Sequence, residues 1–435
     1  MNIHNTLSHH WMPFTSNRDF KRSPRMMARA EGVYYWSAEG TKIIDASSGL
    51  FTSAAGHCRP EITKAVAEQM STLDYTPHFN TGAAPSFEAA RRVAELTPEG
   101  LNRVFFVNSG SESVDTAIKI ALAYHAACGE GQRTHFISRE RAYHGVNIGG
   151  VSLSGMVNNR KTFGAVMPGV AHMRHTWMPE HRFTRGQPET GAELADDLQR
   201  FVDLYGGQNI AACFIEPIAG STGILIPPKG YLERVREICD QNGILLIFDE
   251  VICGFGRTGK PFAAQSFGVT PDIMTMAKAL TNGAQPMGAV AVKDSLYEVV
   301  TESAAEGAIE FFHGYTYSGH PAACAAAIAT MDIYEREGLF EKGEQMTPYF
   351  LDQVYAMQDM DIVADIRGYG MVAGIELHPG TAPGARGMEA TKRLFEAGLH
   401  IKFTGDAAIM APALVCEKEH IDEMIGKFRD VVSKL

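Results

Sequence analysis

The sequence predicts an α/β protein whose central sheet is mostly parallel. It contains 435 residues, 45% of them hydrophobic, and in its middle part short runs of strand-forming residues alternate with helix-length segments. Apolar runs of this length without polar alternation are typical of strands that are covered on both faces. The predicted strands span residues 103–107, 134–138, 148–153, 211–215, 244–248, 272–276 and 288–292.

The two ends of the chain predict a smaller α+β unit. Residues 33–45, with a turn at 38–40, have the pattern of a hairpin, as do residues 361–377 around a break at 367–370. A helix at about 388–397, a strand at 400–403 and a helix from Glu417 complete this unit. Because single cores stop growing at roughly 250 to 300 residues, we expect a small domain built from residues 1–55 and 321–435 and a large domain at 56–320.

Composition disfavours several classes of protein. The 50 acidic and 39 basic residues give a formal charge of −11, which would repel nucleic acids and anionic membranes. The sequence has neither an apolar stretch of about 20 residues nor the basic and apolar start of an export signal, so we expect a cytoplasmic protein. Seven cysteines with no CxxC pair predict reduced thiols.

The first candidate site is the segment 107–113, which follows a predicted strand and opens an amphipathic helix. Small residues such as Gly110 and Ser111 let backbone N–H groups approach an anion, and the helix dipole favours a phosphate there. The same pattern also fits an ordinary serine-capped helix.

Two further candidates follow predicted strands. Tyr143, in the loop 141–145, could stack on a planar ligand, although such a loop is also common on protein surfaces. The strand 244–248 runs directly into Asp249 and Glu250, and a buried strand tolerates such an end when one carboxylate pairs with a cation. A strand-end acid can equally cap the next loop.

The remaining candidates are a lysine and a loop. Lys278 lies just past a strand of buried character, where it is either a solvated strand end or a lysine kept neutral for nucleophilic attack. The segment 312–321 is polar, aromatic and interrupted by glycine. It could form part of a binding site or serve as a structural joint.

Two competing interpretations of the sequence each lack a residue that their chemistry requires. Residues 254–260 have the spacing of a phosphate-binding P-loop, but Pro261 stands where a Ser or Thr would bind Mg²⁺. His172 and His175 have the spacing of metal ligands, but no cysteine or carboxylate completes the set. We therefore expect no nucleotide hydrolysis and no metal site.

Taken together, these motifs resemble the class III group of pyridoxal-phosphate (PLP) aminotransferases of fold type I. The resemblance extends from the segment 10–14 to Gly405 and Asp406 near the end of the chain. It is nearest to the ω-amino acid:pyruvate aminotransferases, also called β-alanine:pyruvate aminotransferases, through four segments: 99–106, 155–160, 220–223 and 311–321.

The resemblance implies a role for each matching residue. Lys278 would bond covalently to PLP and then move the substrate proton, while Asp249 would keep the pyridine nitrogen protonated. Tyr315 and Thr316 would reach the phosphate in a neighbouring subunit, which requires a homodimer, and dimers could pair as tetramers. The implied cofactor-binding residues are Gly110, Ser111, Tyr143, Glu216, Asp249, Val251, Lys278, Tyr315 and Thr316.

On the substrate side the resemblance implies contacts from Phe14, Phe51, Tyr143 and Lys402. The family commonly has a mobile arginine shortly before Gly-Asp that holds the substrate carboxylate, and this chain has Lys402 there. Lysine is a point charge without the two-pronged geometry of arginine. Lys402 could therefore bind a carboxylate more weakly or be an exposed strand lysine.

The implied activity is transfer of an amino group from an ω-amino acid such as β-alanine, or from an amine, to pyruvate. The products would be alanine and an aldehyde, semialdehyde or ketone. Taurine or a diamine could be the donor instead. An aminomutase, a decarboxylase or a non-enzymatic PLP-binding protein on the same scaffold remain further alternatives, and the sequence leaves the preferred donor open.

Overall fold

The structure is a computed structural model that describes residues 7–164 and 166–435. Its strands are β1 (Met27–Glu31), β2 (Tyr34–Ser37), β3 (Lys42–Asp45), β4 (Arg103–Val107), β5 (His135–Arg139), β6 (Val170–Met173), β7 (Ile210–Ile215), β8 (Leu245–Asp249), β9 (Ile273–Met276), β10 (Gly288–Val292), β11 (Val363–Tyr369), β12 (Val372–Leu377), β13 (Leu399–His400), β14 (Lys402–Thr404) and β15 (Ala407–Met410).

Helices connect and cover these strands. The α-helices are α1 (Asn17–Arg22), α2 (Ser48–Phe51), α3 (Pro60–Thr72), α4 (Ala84–Leu96), α5 (Gly110–Ala127), α6 (Ile148–Leu153), α7 (Val157–Phe163), α8 (Asp196–Tyr205), α9 (Tyr231–Asn242), α10 (Ala263–Phe267), α11 (Asp294–Glu302), α12 (Pro321–Arg336), α13 (Leu339–Tyr355), α14 (Ala385–Glu396) and α15 (Lys418–Val432). Short 3₁₀ helices span Leu7–His9, Pro179–His181, Ala192–Ala195, Gly207–Asn209, Lys278–Thr281 and Ala356–Asp359.

The large sheet has the strand order β4-β10-β9-β8-β7-β5-β6. Only β10 runs against its neighbours β4 and β9, whereas β9, β8, β7, β5 and β6 pair in parallel. Every residue of β7, β8, β9 and β10 is buried, as continuous apolar runs require. This confirms the predicted α/β class and the mostly parallel sheet.

One predicted strand is wrong. Residues Ile148–Leu153 form helix α6, not a strand. Gly150 lies so close to the His144 carbonyl that an added Cβ would be 2.2 Å from its oxygen, and residues 149–153 of this short helix are buried. The sheet instead takes the unpredicted strand β6, a four-residue edge strand of sequence Val-Ala-His-Met in which only Met173 is fully buried. The other six predicted strands occur within one or two residues of their predicted limits.

Two four-stranded sheets are built from the chain ends. The order of the first is β1-β2-β3-β13, in which Leu399 pairs with Ile44, so the N-terminal hairpin and the C-terminal region are joined. The second has the order β11-β12-β15-β14. Both predicted hairpins are confirmed, but the single strand predicted at 400–403 is two strands that belong to different sheets. The domain limits stay a prediction.

The predicted C-terminal helices are present with shifted limits. Helix α14 begins three residues earlier than the prediction, and Glu417 lies just before α15 as its N-cap. All seven cysteines are free thiols, and five of them are buried. Among the residues that the structure describes, no helix combines the length and the apolar character needed to span a membrane.

Candidate active site

The carboxyl ends of β5, β7, β8 and β9, together with the start of α5 after β4, surround a cavity of about 120 Å³. Ligands of open α/β sheets bind at this edge because the connecting loops diverge there. The residues that line the cavity are Gly110, Ser111, Tyr143, His144, Gly145, Glu216, Asp249, Val251, Ile252 and Lys278. Seven of the predicted site residues are therefore brought together.

One wall of the cavity is the beginning of helix α5. The Ser109 hydroxyl accepts a hydrogen bond from the Glu112 N–H at 3.2 Å and caps this helix. The first N–H groups of a helix have no partner inside it, and those of Gly110 and Ser111 belong to this set. A Cβ on Gly110 would lie 3.1 Å from both methyl groups of Val251. A small residue here therefore keeps the helix end close to the opposite wall.

Lys278 lies two residues beyond β9 and is enclosed by the cavity. Burial lowers the pKa of its ammonium group to about 8, against the attraction of the Asp249 and Glu216 carboxylates. The backbone has φ of +51°, an uncommon left-handed conformation for a lysine that is typical of functional sites. Its Nζ lies 5.0 Å from the centre of the Phe51 ring. This environment increases the fraction of the amine that is neutral and nucleophilic near neutral pH.

Asp249 ends the buried strand β8 and is 5% exposed. One carboxylate oxygen lies 2.9 Å from Nδ1 of His144, and the other accepts the Val251 N–H at 3.2 Å. Each carboxylate oxygen can accept more than one hydrogen bond. Asp249 is thus held in place by two neighbours and keeps acceptor capacity for a cationic N–H in the cavity.

Glu216, at the end of β7, ties two loops of the site together. Its Oε1 accepts the Tyr143 N–H at 2.9 Å, and its Oε2 accepts the Gly220 N–H at 3.0 Å. Burial raises the pKa of this carboxyl group. The role of Glu216 is therefore to position the Tyr143 loop and the loop that begins at Gly220.

Of the predicted substrate contacts, Tyr143 lines the cavity, whereas Phe14, Phe51 and Lys402 lie outside the lining set, as do the predicted phosphate ligands Tyr315 and Thr316. Phe51 faces Lys278 across 5.0 Å, whereas Phe14 is 79% exposed. Tyr315 and Thr316 lie in the loop before α12, where the Thr316 carbonyl accepts the Tyr75 hydroxyl at 3.0 Å. Phe14, Tyr315 and Thr316 therefore do not line the cavity of their own chain.

Lys402 is half-buried on β14. Its Nζ donates a hydrogen bond to the Phe403 carbonyl at 2.9 Å, and its N–H donates to the Ser47 hydroxyl at 3.0 Å. Burial lowers the pKa of Lys402, and its charge in turn helps to lower the pKa of Lys278. The two amines are therefore electrostatically coupled, and Lys402 is not simply an exposed strand lysine.

Sequence reasoning missed three lining residues: His144, Gly145 and Ile252. His144 and Gly145 belong to the loop 141–145 that carries Tyr143, so their position after a strand was an available signal. A Cβ on Gly145, which has φ of +95°, would lie 2.5 Å from the Ser111 hydroxyl oxygen. Nothing in the sequence distinguished Ile252 from other apolar core residues.

The rejected motifs have structural roles. Arg257, within the P-loop-like segment, is buried and donates hydrogen bonds to the carbonyls of Ala411 and Pro412 and to the Ser48 hydroxyl. His172, expected in a loop, lies in β6, where its Nε2 is 3.0 Å from the Leu153 carbonyl. In residues 7–164 and 166–435, no group of three or more His, Cys, Asp or Glu side chains is arranged to hold a metal ion.

Comparison with known proteins gives a consistent result. The sequence matches the family described as "Aminotransferase class-III" over residues 15–432. It is 52% identical over 433 residues to an omega-aminotransferase of Caulobacter vibrioides, covering 99% of this chain and 98% of that protein. It is 45% identical over 432 residues to an omega-amino acid–pyruvate aminotransferase of Pseudomonas putida, covering 99% and 96%.

The fold is also similar to that of a solved structure. The crystal structure of the omega transaminase from Pseudomonas jessenii in complex with PMP superposes with a TM-score of 0.94 at 32% sequence identity. The superposition covers 100% of this chain and 98% of that one. Both the sequence and the fold are thus similar to those of omega transaminases over the whole chain.

Proposed function

Because this chain belongs to the class-III aminotransferase family, we propose that it transfers an amino group from an ω-amino acid, such as β-alanine, or from an amine to pyruvate, with PLP as its cofactor. The products would be alanine and the corresponding aldehyde, semialdehyde or ketone. The observation that carries this proposal is the enclosure of Lys278 and Asp249 in one cavity that has a helix N-terminus as its third side.

The cavity suits the three polar groups of PLP. Gly110 and Ser111 offer helix N–H groups to a phosphate, Asp249 offers an anion to the pyridine nitrogen, and Lys278 offers an amine to the carbonyl. We expect a flat ring to lie between the Tyr143 ring and the Val251 methyl groups, since both residues line the cavity. When bound, PLP supplies an electron-withdrawing ring for the reaction.

The residues of the chain have distinct tasks in the proposed reaction. Lys278 takes the substrate proton on Nζ and returns it, which its lowered pKa favours near neutral pH. Asp249, held by His144 and the Val251 N–H, stabilises a protonated ring nitrogen by Coulomb attraction. Glu216 keeps Tyr143 in position through its backbone N–H.

The charge and position of Lys402 favour a substrate that carries a carboxylate. The ammonium group of Lys402 is electrostatically coupled to Lys278. Its backbone N–H donates to the hydroxyl of Ser47, which precedes the turn that carries Phe51. β-Alanine and pyruvate both have a carboxylate for this cation, whereas a simple amine has none. This difference favours an ω-amino acid over a simple amine or a diamine, neither of which has an anionic group for this cation.

A homodimer in the cytoplasm is part of the same proposal. Thr316 is exposed and outside its own cavity, and the loop around it contacts exposed apolar side chains. A Cβ on Gly314 would lie 2.9 Å from the ring of Phe79, which is 57% exposed, and Phe312 is 86% exposed. A second copy related by a two-fold axis would cover this surface and could bring Thr316 to the partner's cofactor phosphate.

A screen of amino donors against pyruvate tests the proposal. We expect stoichiometric alanine from β-alanine, with lower kcat/KM for taurine and for diamines. If taurine or a diamine were the preferred donor, the enzyme would be a taurine or diamine aminotransferase instead. Turnover of an amino compound without alanine would indicate an aminomutase or a decarboxylase, and no turnover of any kind would leave only a PLP-binding protein.

A further inference from the structure

A second cavity, a groove of about 800 Å³, lies beside the candidate active site. Its lining includes the apolar side chains of Met156, Met388 and Phe403 and the polar residues Arg141 and Thr222. None of the predicted site residues lines this groove. It therefore offers a space that the proposed chemistry of the cofactor cavity does not use.

Arg141 is the cation of interest in this groove. Its Nη2 donates one hydrogen bond, to the Thr222 carbonyl at 3.2 Å, and the described residues provide no carboxylate within ion-pair distance. The nearby Arg367 differs, because it donates to Asp365 at 2.6 Å and to Glu376 at 2.7 Å. The guanidinium group of Arg141 thus keeps donors that can form a two-pronged pair with a carboxylate.

Burial and the neighbouring Arg367 charge lower the pKa of Arg141, but arginine remains charged in proteins. The acids near the groove are already engaged. Glu376 pairs with Arg367, and Asp406 accepts the N–H groups of Gly384 and Gly387. A carboxylate that entered the groove would therefore find Arg141 as a cation without a competing partner.

The groove is connected to the cofactor cavity through two loops. Arg141 precedes the cavity residue Tyr143 by two positions, and two residues span at most about 7 Å. Thr222 follows Gly220 by two positions, and the Gly220 N–H is held by the cavity residue Glu216. Glu216 thus fixes both loops, and with them the relative positions of the groove and the cavity.

We propose that Arg141 binds the distal carboxylate of ω-amino acid donors that are longer than β-alanine. The reacting amine of such a donor would lie at Lys278, its methylene chain along Met156 and Phe403, and its carboxylate on Arg141. Lys402 would serve the shorter β-alanine and pyruvate. This inference rests on the proposed aminotransferase function and adds a determinant of donor chain length to it.

The test compares Arg141→Gln with wild type on β-alanine, 4-aminobutyrate, 6-aminohexanoate and the uncharged-tail donor hexylamine. Because Arg141→Gln removes a charge-assisted hydrogen bond to the donor carboxylate, kcat/KM for 6-aminohexanoate should fall by about tenfold or more. β-Alanine and hexylamine should change by less than about twofold, and Arg141→Lys should restore part of the loss. Lys161→Gln removes an exposed charge from the rim of the same groove and is the matched control, with little effect expected.

A binding measurement separates this inference from the proposed function. Hexanoate, which has no amine to react, should bind wild-type holoenzyme about tenfold or more tightly than Arg141→Gln in calorimetry. An equal loss for all four donors, hexylamine included, would overturn the inference, since Arg141 would then only support the Thr222 loop. Unchanged hexanoate affinity would also overturn it. If wild type made no alanine from any donor, the proposed function would fail, while hexanoate affinity would still decide the role of Arg141.

Discussion

The two sides of the candidate active site are built in different ways. The cofactor side consists of Lys278, Asp249 and Glu216, which lie at or just beyond the ends of buried neighbouring strands; Asp249 and Glu216 are buried and Lys278 is half-buried. The substrate side consists of Phe51 and Lys402, which come from opposite ends of the chain. The register of one sheet fixes the first side, whereas the second depends on segments that are far apart in the sequence.

Because of this difference, substitutions on the two sides should affect amino donors differently. A change on the cofactor side alters a cavity whose groups hold one another, so it should affect every donor equally. A change on the substrate side meets only the part of the substrate that it touches, so it should affect donors selectively.

Lys278→Ala should reduce transamination with every donor. It removes the amine that attacks the cofactor and carries the proton, and proton transfer by a positioned group alone contributes about 10²- to 10⁴-fold. Steady-state rates with β-alanine and with an amine should fall by the same factor. A loss confined to one donor would place Lys278 on the substrate side.

Asp249→Asn should reduce the half-reaction rate by roughly 10²-fold, because it removes the charge that favours a protonated ring nitrogen and retains the shape of the side chain. PLP should still bind through Gly110 and Ser111. Stopped-flow absorbance measures the half-reaction, and thermal unfolding serves as the control for folding. Near-normal rates would mean that another acid supports the ring nitrogen.

Lys402→Ala should lower kcat/KM for β-alanine and pyruvate by about 10- to 150-fold, since a charge-assisted hydrogen bond contributes roughly 1.5 to 3 kcal/mol. The half-reaction of an uncharged-tail amine should change little. Equal losses for all donors would show that Lys402 supports the fold around Ser47 instead. No loss for any donor would assign the carboxylate to a different cation.

The pH dependence of PLP uptake by the apoprotein should follow Lys278. Only the neutral amine attacks a carbonyl, and burial lowers the pKa of this group from its ordinary value to about 8. The uptake rate should therefore rise about tenfold per pH unit below pH 8 and level off above it. A rise that continued to pH 10 would mean that the lysine is solvated as in water.

The shared site is tested by coexpressing two inactive variants, one changed at Lys278 and the other changed at both Tyr315 and Thr316. Mixed dimers would contain one intact site and should regain part of the activity that each variant lacks alone. Mixing the same variants after separate purification controls for subunit exchange. A fully active monomer in light scattering would contradict the shared site.

The same contrast explains how much of the molecule the sequence predicts. Lys278, Asp249 and Tyr143 are recognisable because each follows a buried strand, and parallel strands bring their carboxyl ends together. The sequence of helix α6 predicts a strand because a short apolar run has no period that separates the two. For Arg141 the sequence indicates only a place in the loop 141–145, since its unpaired donors and its groove depend on tertiary packing.

Locating the covalent link between PLP and the protein tests most directly whether Lys278 is the lysine that binds the cofactor. Holoenzyme is reduced with borohydride, digested, and the modified peptide identified by mass spectrometry, with a second sample converted by β-alanine beforehand. We expect modification at Lys278 alone, and loss of that modification after β-alanine until pyruvate is returned. Modification at Lys402 or another lysine, or a Lys278 link that β-alanine does not release, would contradict this assignment.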